Sequence, residues 1–189
     1  MICAMIGGIS RHVAIIPLSY RPGNNDSTIP PMDAQPELAL LAKILDEQGL
    51  EAILIGNMAA AMHGAPVSTI DIDFYFRSTP RNISKLKAIA RSLGAVILCP
   101  FYPVSSLFRL QRESDGLQID FMGRIDGIRS FEGLRRRARF YSVGNSKILV
   151  AALADIVRSK RSAGRPKDRA VLEVLEQTLN EETGSRGQN

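Results

Sequence analysis

Tryptophan is absent from this 189-residue chain and the aromatic fraction is only 6%, a shortage that by itself diagnoses no class. Cysteine is nearly missing too. Cys3 and Cys99 stand far apart, which reads as reduced thiols in a cytoplasmic protein. With only two histidines, His12 and His63, they fit no recognised zinc pattern. Long hydrophobic runs are lacking as well. The apolar opening Met1–Tyr20 is interrupted by Arg11 and His12, and no small-residue cleavage site follows. Neither a signal peptide nor a membrane span is therefore expected. Internal repeats, a helix-turn-helix pattern and an aromatic platform are not found either. The lack of a helix-turn-helix pattern and of an aromatic platform places a nucleic-acid-binding module last among the function classes.

What is present is unevenly distributed charge. The net charge is +5, yet residues 109–169 hold 15 Lys/Arg against 7 Asp/Glu. A cationic half of this kind suits a polyanionic partner such as a nucleoside triphosphate or RNA. Residues 21–35, rich in Pro, Asn, Asp and Ser, read as a linker. Residues 1–35 thus form a peripheral arm. One domain is expected over 36–179, with a core at 51–125, a C-terminal helical part at 152–179, and a flexible polar tail at 180–189.

Periodicity supplies the elements. Apolar residues at helical spacing mark Pro36–Gln48, Arg81–Leu93, Leu153–Ser162 and Pro166–Leu179, with a short basic helix at Ser130–Arg137. Strands are expected at Glu51–Ile55, Ile70–Phe76, Ala95–Leu98, Ser106–Gln111, Leu117–Met122, Arg139–Val143 and Lys147–Ala151. A hairpin turn falls at Glu113–Gly116. Gly56 breaks the first strand, and Asn57 is the expected N-cap of a short helix Met58–His63. The fold class is α/β (α+β): a mixed sheet flanked by helices, with helices closing the chain.

The chemistry concentrates after that short helix. In Thr69-Ile70-Asp71-Ile72-Asp73-Phe74 the two aspartates occupy positions i and i+2 of a strand. They share one face about 6–7 Å apart, while Ile70, Ile72 and Phe74 turn to the buried side. Carboxylates held so closely repel unless a cation lies between them, and a hard ion such as Mg²⁺ suits them. Asp120 is the lone charge on the polar face of its strand, opposite Leu117, Ile119 and Phe121. Together Asp71, Asp73 and Asp120 suffice to hold two Mg²⁺ ions for phosphoryl-group chemistry. Gly56 lets backbone approach phosphates, and the helix start beside Asn57 adds N–H donors. His63 reads as a helix C-terminal cap rather than a catalytic base. No nucleophilic side chain stands out.

These residues carry a resemblance. Gly56-Asn57, His63-Gly64, Thr69-x-Asp71-Ile72-Asp73, Asp120, Lys160 and Arg165-Pro166-Lys167-Asp168 resemble the nucleotidyltransferase superfamily with the DNA polymerase β-type core. The nearest likeness is to the small bacterial branch that includes AbiEii-like toxin nucleotidyltransferases. The resemblance spans roughly residues 40–175. It implies transfer of a nucleotidyl group from an NTP to a hydroxyl on RNA or tRNA, protein or a small molecule, and in the toxin version an antitoxin partner. It makes Asp71, Asp73 and Asp120 metal ligands, places Gly56 and Asn57 in the phosphate-binding turn, and assigns a triphosphate contact to Lys160. Arg165, Lys167 and Asp168 fall in the helical motif behind the site. The chain departs from the family where Asn57 replaces Gly or Ser, Val67 replaces Arg, and Val171 replaces Asp. The alternative is a catalytically weak or inactive domain that binds nucleotide or a partner.

Overall fold

The computed structural model describes residues 35–99 and 106–186. The expected arm, with Cys3 and His12, lies outside these residues apart from Gln35, as does the end of the tail beyond Arg186. In helix α1 (Gln35–Glu47), Leu38, Leu41, Ala42 and Leu45 recur every three or four residues, and all are buried. Gly49, at φ 56°, then turns the chain into strand β1 (Ala52–Ile55), whose four residues are all buried.

Helix α2 (Gly56–Met62) starts without a break from β1, two residues earlier than expected. Its N-cap is Ile55, with no side-chain capping bond, so Asn57 is inside the first turn and not a cap. The amide of Asn57 instead donates to the Ser68 carbonyl (3.3 Å). Met58 through Met62 are all buried, and three alanines in that run let the helix nest between the sheet and a later helix.

Strand β2 (Asp71–Phe76) follows. Ile70 lies just before it and is 55% exposed. The expectation that Ile70 joins the buried face is corrected: the pleat begins only at Asp71, so its alternation does not reach Ile70. In helix α3 (Pro80–Leu93), Thr79 Oγ1 accepts from the Asn82 N–H, Pro80 opens the helix, and Gly94 closes it at φ 63°. Strands β3 (Val96–Leu98), β4 (Leu107–Gln111) and β5 (Gln118–Met122) come next, then helix α4 (Phe131–Arg135). Strands β6 (Arg139–Val143) and β7 (Ser146–Val150) form a hairpin. Helices α5 (Leu153–Ala163) and α6 (Pro166–Arg186) pack on each other and close the chain. The last helix continues past Leu179, where the apolar spacing ends, because its later turns have tertiary contacts: Glu182 meets His63.

The seven strands form one mixed sheet in the order β3-β4-β5-β2-β1-β7-β6. β2 runs parallel to β5 and antiparallel to β1, which places β2 and β5 well inside the sheet. Their register pairs Ile72 with Ile119, Asp73 with Asp120, and Phe74 with Phe121. On one face the Phe74 and Phe121 rings stack at 5.2 Å, and Phe76 meets Phe121 edge-on at 5.9 Å. All three rings are fully buried. Each contributes roughly 1.5–3 kcal/mol by leaving water. The other face of the same two strands carries the aspartates.

Candidate active site

The pleat of β2 and β5 builds the site. Asp71, Asp73 and Asp120 line one cavity of about 680 Å³, together with Gly56, Asn57, Lys160, Arg165, Lys167 and Asp168. The expected site residues, drawn from five separate stretches of chain, are thus brought to one place. Asp71 enters through a local turn in which its N–H donates to Thr69 Oγ1 (3.2 Å) and the hydroxyl donates back to the Asp71 carbonyl (3.0 Å). Val67, where the family pattern has Arg, is a buried core residue here.

Gly56 stands against Asp73. It has φ 71°, and a Cβ built on it would fall 2.2 Å from Asp73 Oδ2. The absence of a side chain therefore makes room for a carboxylate, a constraint that spacing along the chain did not reveal. Asp73 is crowded in other ways too. Burial first, then the charges of Asp120 and Asp71, push its carboxyl up to about 6, while Lys167 and Lys160 pull the other way. Asp71 is likewise raised, by burial and by Asp120, against Arg109 and Lys167.

Across the cavity Lys160, on α5, lies 3.3 Å from Asp168 in the first turn of α6. Both are largely buried, and the pair braces the two helices where their cationic ends face the aspartates. Arg165 pairs with Asp126 at 3.5 Å on the exposed rim. His63 is the C-cap of α2, but its ring serves tertiary structure. Nε2 donates to the Ala151 carbonyl (2.8 Å) and Nδ1 lies 2.8 Å from Glu182 Oε1. Both ring nitrogens are committed to joining α2 to α6 and to the residue that follows β7.

One residue of the site escaped the reading of the sequence. Arg109, on β4, is the cross-strand partner of Asp120. Its Nε donates to Oδ1 and its Nη2 to Oδ2, each at 2.8 Å. The signal was there in the hairpin: pairing strands outward from the Glu113–Gly116 turn sets Gln111 against Gln118 and Arg109 against Asp120.

Oxygen donors of this kind suit a hard divalent ion, and the mutual repulsion at Asp73 marks where a cation would be welcome. Among the described residues, no three His, Cys, Asp or Glu side chains are already gathered closely enough to share one ion. Asp71 and Asp73 remain the accessible donors, while the oxygens of Asp120 are engaged by Arg109.

No protein-family model matches the chain, and no curated protein matches it in sequence. Solved structures do match. The lincosamide antibiotic adenylyltransferase LnuA, bound to lincomycin, superposes with a TM-score of 0.56 at 14% identity, over 76% of this chain and 96% of that one. ANT(2″)-Ia in complex with adenylyl-2″-tobramycin gives 0.56 at 14% identity, over 79% and 91%. TM1012 of Thermotoga maritima, assigned as a nucleotidyltransferase, gives 0.55 at 22% identity, over 77% and 92%. The chain has a nucleotidyltransferase fold. Within that fold, the mixed sheet flanked by helices is the architecture expected from the sequence. Among the described residues no helix is long and apolar enough to cross a membrane.

Proposed function

We propose that this protein is a metal-dependent nucleotidyltransferase that moves a nucleotidyl group from an NTP to a hydroxyl acceptor. One observation carries the reading: the Asp73 carboxylate, seated against Gly56, is flanked by Asp71 and Asp120 and faced by Lys160 and Lys167 within a single cavity. Mg²⁺ bound there would neutralise phosphate charge and ease deprotonation of the attacking hydroxyl. The chain's own residues do the rest. Asp71 and Asp73 supply the hard oxygen ligands, with Asp120 as the third carboxylate. Lys160, Lys167 and Arg165 bind the triphosphate, and Asp168 holds the Lys160 ammonium at the cavity wall. Gly56 and Asn57 form the turn beside it. The acceptor oxygen attacks the α-phosphorus, and the bond to the departing pyrophosphate breaks. Positioning and charge carry most of such a reaction, so no protein nucleophile is required.

The acceptor is a small molecule, a tRNA or a protein, the last two in the manner of a toxin held by an antitoxin in a bacterial cytoplasm. The first is favoured. Ile70, Leu107, Met122, Ile125 and Ile128 give the cavity an apolar flank, and two of the similar structures hold a small molecule or its adenylyl derivative. A second reading, a nucleotide- or partner-binding domain without turnover, is favoured by Arg109, which engages both oxygens of Asp120.

The test is incubation with NTPs labelled at the α-phosphate, Mg²⁺ and a panel of hydroxyl acceptors that includes total tRNA. Label should pass to an acceptor, and Asp71→Asn and Asp73→Asn should each reduce transfer at least about 100-fold. Calorimetric binding of Mg²⁺–NTP without transfer to any acceptor supports the second reading; no binding at all removes both.

A further inference from the structure

The Arg109–Asp120 pair is more than an ion pair at the edge of a site. It is a fork-to-fork contact, with two nearly parallel N–H···O bonds of 2.8 Å between directly opposed residues of neighbouring strands. Such pairs are strong and geometrically selective. The two partners differ in freedom. Asp120 is 6% exposed and sits between β2 and β4 in the sheet interior. The Arg109 side chain keeps 32% of its surface and lines the same cavity as Asp71 and Asp73. The guanidinium therefore has open volume to move into, whereas the carboxylate is held on the interior strand β5. Its positive charge also offsets part of the repulsion that acts on Asp71. An ion arriving beside Asp120 meets a positive charge already in place.

We propose that Arg109 is a tethered counter-cation of the carboxylate cluster, keeping Asp120 closed to divalent ions until one enters at Asp71 and Asp73 and displaces the guanidinium toward the cavity. This rests on the cluster being a cation site. It makes Arg109 a positioning residue that sets how tightly, and in what order, the carboxylates take up metal. Arg109 thus opposes metal binding, whereas a residue that merely holds a ligand in place would assist it.

Titration of the full chain with Mn²⁺, following the free-ion signal by electron paramagnetic resonance, separates these roles. Arg109→Gln should bind Mn²⁺ about fivefold more tightly than the wild type, because a unit charge next to the site has been removed. Arg109→Lys keeps the charge but lacks the fork, and should fall between the two. Circular dichroism melts establish that each variant is folded, and if Arg109→Gln is not, Arg109→Lys decides the matter. Unchanged or weaker Mn²⁺ binding in the folded variants overturns the proposal and leaves the metal site standing. If the wild type and both variants bind no Mn²⁺ while folded, the cation-site reading itself falls, and this proposal with it.

Discussion

The two faces of the β2–β5 pair carry opposite chemistry on the same ten or so backbone units. On one side Phe74 and Phe121 stack and Phe76 closes against them, fully removed from water. On the other, Asp73 and Asp120, their immediate neighbours in sequence, crowd one another at the cavity. The aromatic face lowers the free energy of the fold, and the acidic face raises it. The difference teaches why the acids stay where they are. A slip of one residue in either strand would bury carboxylates and expose rings, so the register that stores the repulsion is enforced by the packing behind it.

The comparison is broken most severely from the aromatic side. Phe121→Ala removes the ring that touches both Phe74 and Phe76. It should lower stability by about 3–5 kcal/mol in urea-induced unfolding. A loss below about 1 kcal/mol would show that the rings do not anchor the register. Gly56→Ala attacks the acidic side through the backbone. It demands φ 71° of a residue with a Cβ and drives that Cβ into Asp73 Oδ2. The expected cost is about 2 kcal/mol, with nucleotidyl transfer reduced more than about tenfold because the carboxylate must shift. Retained transfer at wild-type rate would mean that Asp73 has another seat.

A change of pH sharpens the contrast without altering the chain. Folded Asp73 binds its proton up to about pH 6, whereas the unfolded group releases it near its ordinary value of 3.8. Between these limits the folded state holds more protons, so stability falls as pH rises from about 4 to about 6, and stays lower above that. Without divalent ions the decline should amount to about 3 kcal/mol. Asp73→Asn should remove most of it, and Mg²⁺ should restore stability above pH 6. Melting temperatures across that range, with and without Mg²⁺, provide the measurement. A flat wild-type profile without metal would show that Asp73 is not crowded in solution.

Much of the site was legible because its logic is local. Asp71 and Asp73 announce a shared face through their spacing, and Leu117, Ile119 and Phe121 announce the face that Asp120 does not join. Thr79-Pro80 and Gly94 bracket α3 in the chain itself. Legibility failed where partners lie apart in sequence or where a local rule met a tertiary constraint. Asn57 has the chemistry of a cap, yet β1 passes directly into α2 and its amide turns to Ser68 instead. Ile70 has the apolarity of a core residue, yet it precedes the pleat. The extension of α6 to Arg186 has no apolar periodicity to advertise it, and its contact through Glu182 to His63 joins residues 119 apart.

What the sequence determined by itself is the alternation: which residues of each strand face together, and so which acids stand on the side away from the rings. That follows from the two-residue repeat of an extended chain and needs no knowledge of neighbours. Tertiary structure alone decided that β2 lies parallel to β5 with Asp73 beside Asp120, that Gly56 yields its space to a carboxylate, and that α5 and α6 bring Lys160 and Lys167 toward it. Those choices depend on burying surface between segments far apart in the chain, and the free energy of that burial exists only once the whole sheet has assembled.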